Sequence, residues 1–366
     1  MEDLGLSVIR NPDENFWRDK RVLLTGHTGF KGAWLVCWLH RLGAKVSAIS
    51  LPPLTLPNLF TLAAVGELCE GGFCDIRDSD RLTRLITAAE PEVVFHLAAQ
   101  PLVRTGYREP LRTFSTNVQG TANVLEAVRS VDSVRCVVVV TTDKVYRILE
   151  QRRAHTESDL LGGHDPYGAS KAAAEFVIAS YRDSFLAEAG VMVASARAGN
   201  VIGGGDWSPD RLLPDAVRAW STNKPLTVRN PEAIRPWQHV LEPLAGYLVL
   251  AEAMWDDPSL AGAYNFGPAE NSAATVQEVA RLAQKYYGKG ETIWGDDREG
   301  PTETSCLSLD SSKARAVLGV LPRWTLDEAV HRTMKWYRLQ IDGADVRKIC
   351  ETDLAEFELP TKEPSE

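Results

Sequence analysis

The chain has no apolar run of the roughly 18 to 20 residues that a membrane-spanning helix needs, so no membrane partner is expected. It also lacks any C-x-x-C pair. Its six cysteines, at 37, 69, 74, 136, 306 and 350, are scattered, and several fall in apolar stretches. That distribution argues for reduced thiols rather than a disulfide framework or a zinc site. The seven histidines form no H-x-x-x-H pair, so no metal site is expected, and His96 at a strand end reads as a residue satisfying backbone groups. An excess of basic charge is missing too: the formal net charge of −9 speaks against nucleic acid as a partner, because a phosphate backbone needs a basic surface. There are no internal repeats, and residues 1–14 are too polar and acidic for a signal peptide, which makes a cytoplasmic location the expectation. The acidic, proline-containing tail, residues 353–366, is expected to be mobile.

What is present is a cluster of proton carriers. The apolar run Val134 to Val140 reads as a buried parallel strand, and Thr141-Thr142-Asp143-Lys144 follows at its carboxyl edge, where open α/β sheets bind ligands. Tyr167 and Lys171 stand four apart in a helical run from Tyr167 to Ala187 and share one face. A tyrosine with an ordinary pKa of about 10 is a poor base at neutral pH, and a neighbouring ammonium is expected to lower it. Thr142 can hydrogen-bond a sugar-type hydroxyl, Asp143 can give or take a proton, and Lys144 is an amine that desolvation makes basic at lower pH. Three proton carriers imply more than one chemical step.

A second motif lies near the N-terminus. The segment Lys20 to Gly32 reads as a strand, a glycine-rich turn and the start of an apolar helix, with Gly26, Gly29 and Gly32 spaced G-x-x-G-x-x-G. Glycines permit the tight turn and bring backbone amides to a pyrophosphate at the positive helix end. The whole turn, Gly26, His27, Thr28, Gly29, Phe30, Lys31 and Gly32, is the candidate cofactor cradle. Further strands are expected at Ala44 to Ile49, Leu68 to Cys74 and Val93 to Leu97. Asp75 after the third is a candidate for an adenine amine, with Ile76 beside it, and Leu97, Ala98 and Ala99 join the cofactor contacts. Alternating strands and helices predict an α/β fold with a doubly wound parallel sheet. The second strand ends Ser50-Leu51-Pro52, without the acid that ordinarily binds the ribose of NAD and without an arginine for a 2′-phosphate. NAD and NADP both remain open at that position.

Four strings, T-G-H-T-G-F-K-G (Thr25 to Gly32), F-H-L-A-A-Q-P-L-V-R (Phe95 to Arg104), R-A-G-N-V-I-G-G-G-D-W (Arg197 to Trp207) and R-P-W-Q-H-V-L-E-P (Arg235 to Pro243), together resemble a known family. The chain is similar, from about Asn15 to Trp336, to the extended short-chain dehydrogenase/reductases, within them to the nucleotide-sugar 4,6-dehydratases, and most to their CDP-glucose members. The resemblance implies a Rossmann-type sheet with a smaller α/β substrate-binding lobe, bound NAD, a nucleotide-sugar substrate and a homodimer or homotetramer. It gives Tyr167 the C4 hydroxyl proton, Lys144 the C5 proton and Asp143 the departing C6 hydroxyl. Lys171 would hold the nicotinamide ribose and tune Tyr167, and Thr142 would meet the C4 oxygen. Gln100, Arg104, Asn200, Arg211 and Arg235 are the candidate substrate contacts, with at least one arginine on the diphosphate. Trp207 and Trp237 read equally as base-stacking or core residues. The resemblance breaks at Arg147 to His155, which lacks the aromatic and glycine residues expected there and reads as an exposed charged loop. The cofactor lobe is expected over 1–197 plus about 239–262, and the substrate lobe over about 198–238 plus 263–352. Helices at Thr113 to Arg129 and Tyr167 to Ala187 are the candidate dimer surface by analogy. A nucleotide-sugar epimerase or reductase of the same fold would use the Tyr-Lys pair without needing Asp143-Lys144, and a non-catalytic dinucleotide-binding protein would need neither.

Overall fold

The computed structural model describes residues 9–148, 153–269, 273–295 and 307–360. Seven parallel strands form one sheet: β1 (Arg21–Thr25), β2 (Lys45–Ser50), β3 (Glu70–Phe73), β4 (Val93–His96), β5 (Cys136–Val140), β6 (Met192–Ala198) and β7 (Ala263–Phe266), in the order β7-β6-β5-β4-β1-β2-β3. The order reverses at β1, which pairs with β2 on one side and β4 on the other. Connections leave to opposite faces there, opening a crevice at the carboxyl ends of the two strands.

The period of two along each strand sorts side chains to two cores. Val22 and Leu24, Val93 and Phe95, and Cys136, Val138 and Val140 join the core that contains the helices Phe30–Arg41 and Leu241–Asp256. Leu23, Val94, Val137 and Val139 join the other, with Leu82 and Ile86 of helix Ser79–Ala89, Val124 and Val128 of helix Gly120–Val128, and Ile178 of helix Pro166–Tyr181. Each fully buried aliphatic side chain contributes about 1.5 to 3 kcal/mol. The strands therefore read as continuous apolar runs because both faces are covered.

Several sequence boundaries shift. Ala263–Phe266, expected in the substrate lobe, pairs with β6 in the main sheet. The helix expected to run unbroken from Thr113 to Arg129 holds a π turn at Ser115–Gln119, and the helix after Tyr167 ends at Tyr181 with a second π turn at Arg182–Leu186. Residues 353–358, expected in a mobile tail, continue the helix Val346–Glu358. Its buried side of Ile349, Cys350, Leu354 and Phe357 repeats at helical spacing and packs into the first core, while Glu358 accepts from Trp38 Nε1 at 2.8 Å and Arg41 Nε at 2.9 Å. Positions 361–366 lie outside the described residues.

Three two-stranded ribbons build the smaller lobe: Val201–Ile202 with Gln238–His239, Ile234–Arg235 with Ala274–Thr275, and Leu226–Val228 with Thr292–Trp294. Trp34 on the first apolar helix donates to the Gly204 carbonyl at 2.9 Å, tying this lobe to the glycine-rich turn. Trp207 packs edge-on against Tyr337, and Trp237 donates to the Ala274 carbonyl at 3.1 Å, so both serve packing within the lobe.

Candidate active site

The glycine-rich turn is fixed by backbone contacts. A Cβ on Gly32 would fall 2.1 Å from the Gly26 carbonyl oxygen, and one on Gly26, whose φ is +89°, would fall 2.7 Å from the Ala98 nitrogen. The turn thus lies flush against both the helix start and the end of β4. Thr25 Oγ1 holds that junction, accepting from the Leu97 and Ala98 amides at 3.2 Å each and meeting His96 Nδ1 at 2.7 Å. His96 Nε2 lies 3.1 Å from Thr121 Oγ1, so the ring serves side-chain hydroxyls rather than the backbone groups expected for it. Burial holds its pKa down at about 3, with Lys171 adding to the effect. No side chain caps the start of the helix Phe30–Arg41. Such an end, bedded on glycine, fits a dinucleotide pyrophosphate.

At the end of β2, Thr28 Oγ1 meets Ser50 Oγ at 2.7 Å and donates to the Leu51 carbonyl at 2.8 Å. Asp75 is clasped by Arg77 through both carboxylate oxygens. Ile76 packs under Gly120, where a Cβ would come within 2.4 Å of its Cδ1. His27 is buried, its ring edge-on to Phe60.

The reactive groups converge from three elements. Asp165 caps the helix Pro166–Tyr181, accepting from the Tyr167 and Gly168 amides at 2.9 and 3.1 Å, which sets Tyr167 in the first turn. Gly168 admits the Asp143–Val145 turn: a Cβ there would stand 3.0 Å from the Lys144 carbonyl oxygen. Lys171 donates to the Val140 carbonyl at 2.9 Å, joining this helix to the end of β5.

These groups are near enough to act on one another's charge. Burial raises the Asp143 pKa against the pull of Lys144, the Thr142 hydroxyl, Arg235 and Lys31. Asp143 Oδ1 accepts from Thr142 at 2.9 Å, while Oδ2 is buried without a hydrogen-bond partner, 3.0 Å from where a Gly199 Cβ would stand. A carboxyl with one unpartnered buried oxygen favours the protonated form. Lys31 is brought down to about 7 by burial, with Arg211 adding to that, Asp143 opposing it and Lys171 adding a smaller push. Its ammonium lies 3.4 Å from the Tyr247 hydroxyl.

The expected lowering of Tyr167 by Lys171 is overturned. Burial pushes the Tyr167 phenol up to about 12, and the opposing influences are the Thr142 hydroxyl and the Arg211 charge. Burial also brings Lys171 down to about 8, with Glu175 pulling the other way. Burial is the leading influence on both groups, and the Lys171 ammonium keeps two donors beyond its bond to the Val140 carbonyl.

The predicted substrate contacts divide. Arg211 and Arg235 act on the catalytic groups, Arg235 while donating to the Ile234 carbonyl at 2.8 Å. Arg104 stands 3.7 Å from Asp210, beside Arg211, and the Asn200 carbonyl accepts from the Gln238 amide at 3.0 Å. Gln100 is turned inward: its Nε2 donates to the Leu102 carbonyl at 3.1 Å and Thr113 at 2.9 Å, and its Oε1 accepts from the Leu102 amide at 2.7 Å. Its amide holds the loop after β4 instead of facing a ligand. The divergent segment is only partly an exposed loop: Arg147 and Ile148 are exposed, but His155 is buried, stacked on Tyr146 and 3.2 Å from Asp159. Positions 149–152 lie outside the described residues. Among the described residues no cluster of metal-ligating side chains exists, and Cys37, Cys69, Cys74, Cys136 and Cys350 are free thiols.

A uncapped helix end on glycine at the sheet's switch point, with an acid, an amine and a tyrosine at its mouth, defines a family by geometry, and comparison agrees. The model of the family described as GDP-mannose 4,6 dehydratase matches residues 23–333. The chain belongs to this family. Within the GDP-mannose 4,6 dehydratase family, it is 44% identical over 358 residues to a CDP-glucose 4,6-dehydratase of Salmonella typhimurium, covering 94% of this chain and 98% of that protein. The structure of DesIV, a dTDP-glucose 4,6-dehydratase from Streptomyces venezuelae with NAD bound, superposes with a TM-score of 0.76 at 26% identity, covering 89% of this chain and 99% of the other. MoeE5 in complex with UDP-glucose and NAD gives 0.74 at 27% identity over 87% and 99% of the two chains.

Sequence reasoning missed Glu175, Arg197, Tyr146 and Tyr247, which surround the catalytic groups from behind. Glu175 had a signal, since it stands four residues after Lys171 on the same helix face. The others are brought in from separate elements.

Proposed function

We propose that this chain carries out the NAD-dependent 4,6-dehydration of CDP-glucose to CDP-4-keto-6-deoxyglucose, as a hydro-lyase with the cofactor restored in each turnover. The observation that carries the reading is the buried Asp143, raised toward its neutral form, adjacent to Lys144 and across from Tyr167. A simple epimerase or reductase has no use for that acid beside that amine. The CDP-glucose assignment draws on the 44% identity to the Salmonella protein over nearly its whole length.

Bound NAD would supply hydride acceptance from C4 and its return to C6. Tyr167 takes the C4 hydroxyl proton, helped by the Thr142 hydroxyl and the Arg211 charge that already pull its pKa down against burial. The resulting 4-ketone acidifies the C5 hydrogen, and Lys144 in its neutral form removes it. Asp143, protonated, donates to the C6 oxygen, water leaves across C5 and C6, and Lys144 returns its proton to C5 when C6 is reduced. Burial favours the protonated form of Asp143 that this step requires. Arg211 and Arg235 bind the diphosphate, and Lys171 holds the nicotinamide ribose.

The substrate lobe takes about 198–238 and much of the chain from 274 to 345, and it meets the cofactor lobe where Trp34 donates to the Gly204 carbonyl. The protein pairs with a second copy through the exposed Leu111 and Phe114 of the helix Pro110–Phe114, Phe176 of the helix Pro166–Tyr181 and Phe185 of the π turn that follows it. Exposed apolar residues on neighbouring helices suit a helix-bundle interface.

Mass spectrometry of CDP-glucose incubated with the protein and a trace of NAD tests the function. The wild type should remove one water per sugar over many turnovers per cofactor, and Lys144→Ala should not. An unchanged mass with wild type, or an isomer of the same mass, would overturn the dehydratase reading; full dehydration by Lys144→Ala would overturn the base assignment.

A further inference from the structure

Behind Thr142, Asp143, Tyr167 and Lys171 lies a buried polar chain. Glu175 accepts from Thr141 Oγ1 through Oε1, and from Ser195 Oγ and Arg197 Nη2 through Oε2, the latter two at 2.7 Å each. Arg197 Nη1 donates to the Tyr146 hydroxyl at 2.9 Å and to the Glu157 carbonyl at 3.2 Å. The Tyr146 hydroxyl in turn donates to Asn265 Oδ1 at 2.6 Å, and Asn265 Nδ2 donates to the His155 carbonyl at 2.8 Å. The ring planes of Tyr146 and His155 are stacked at 2°, with centroids 4.7 Å apart. Glu175 and Arg197 are 5% and 4% exposed, so the ion pair is fully desolvated.

The connectivity is what matters. Thr141 immediately precedes Thr142-Asp143-Lys144, Glu175 follows Lys171 by one helical turn, and Tyr146 ends the Asp143–Val145 turn. We propose that Glu175, clamped by Arg197, is a positioning residue that locks the strand end carrying Thr142, Asp143 and Lys144 to the helix carrying Tyr167 and Lys171, and anchors both ends of the divergent 147–155 segment through Tyr146. The segment is pinned where it leaves, by the bridge of Tyr146 to Leu161, and where it returns, by the bridge of His155 to Leu309. The inference rests on the dehydratase reading for its activity assay only.

Charge supports the geometry. Glu175 is the group that opposes the lowering of Lys171 by burial. The other titratable groups coupled to Lys171 are His96 on β4 and Lys31 beside the glycine turn, and Asp143 acts on Lys31 across the same space. Removing the Glu175 charge while leaving Arg197 cationic therefore lowers Lys171 further and strips its proton at a lower pH.

The test is Glu175→Gln, with Glu175→Asp as rescue and Thr141→Val as a near-isosteric second variant in case the first does not fold. Each is checked for cooperative thermal unfolding, for kcat and KM of water loss, and for NAD affinity against pH. Positioning predicts that folded Glu175→Gln loses about a hundredfold in kcat with KM little changed, the scale of an ångström-level misplacement. It also predicts that the alkaline fall in NAD affinity moves to lower pH, with partial recovery in Glu175→Asp, and that Thr141→Val lowers kcat in the same sense. Wild-type kcat and an unmoved pH limb in folded Glu175→Gln, losses that only follow the folded fraction, or wild-type kcat in Thr141→Val would overturn the proposal. Should the wild type leave CDP-glucose unchanged, the functional reading fails by itself, and the NAD-affinity profiles still decide the role of Glu175.

Discussion

Replacing Gly32 by alanine should weaken both cofactor binding and the fold. The new Cβ would meet the Gly26 carbonyl oxygen at 2.1 Å, the Gly26 carbonyl carbon at 2.7 Å and the His27 Cα at 2.9 Å. All three are backbone atoms, so no rotamer change relieves the contact. A carbon and a carbonyl oxygen ordinarily approach to about 3.3 Å, which requires the turn and the helix to separate by about 1.2 Å. Overpacking of this kind costs about 1 to 3 kcal/mol, and in a chain of this size lowers Tm by roughly 1 to 4 °C. The amides at the helix start are what a pyrophosphate would meet, and a hydrogen bond to a charged group is worth about 1.5 to 3 kcal/mol. Misaligning one should raise the Kd for NAD about 10- to 100-fold. Isothermal titration of NAD into wild type and Gly32→Ala, with melts of both, measures the two effects. Gly72→Ala is the control, because nothing lies within 4 Å of its Cβ, and it should leave both values unchanged. Wild-type NAD affinity in a folded Gly32→Ala protein would refute the placement of the pyrophosphate on this turn.

Other outcomes follow from the same geometry. Lys171 sits at about 8, so its ammonium is lost as pH rises through that value, and NAD affinity measured from pH 7 to 9.5 should fall across it. A flat profile would remove Lys171 from the cofactor site. Burial raises Asp353 to about 7 from 3.8, with Arg332 opposing. The fold therefore prefers the protonated acid, and its contribution is full below 3.8 and lost as pH rises through about 7, with a slope of up to about 1.4 kcal/mol per pH unit between them. Asp353→Asn should raise Tm relative to wild type at pH 8 and not at pH 4; equal shifts at both would contradict the buried-acid account. Phe176→Glu places a charge on a side chain that is 64% exposed, and light scattering should report a smaller species without a fall in the melting temperature of the monomer.

The legibility of this protein in its sequence differed from residue to residue. The strands at Arg21–Thr25, Lys45–Ser50, Val93–His96 and Cys136–Val140 were readable because both faces of a parallel sheet are apolar. Thr142, Asp143, Lys144, Tyr167 and Lys171 stood out as candidates because they sit on local spacings, a strand end and a helix turn. Gln100 misled because its neighbours belong to a matched string, and only the position of Thr113 and the Leu102 backbone shows that its amide is consumed. Ala263–Phe266 misled because it joins its sheet after a long excursion, and Val346–Glu358 because the acids around it mask a periodic apolar side.

The sequence by itself determined the order of elements, the glycine spacing of the cofactor turn and the candidates for the reacting groups, since each depends on neighbours within a few residues. Tertiary structure decided their protonation and their support. Tyr167 and Lys171 are adjacent on one helix in any arrangement, yet burial sends the phenol up to about 12 and the amine down to about 8. Desolvation depends on everything packed around a group, and the Glu175, Arg197 and Tyr146 chain joins residues from three separate elements. Long-range packing sets both, and no local pattern encodes it.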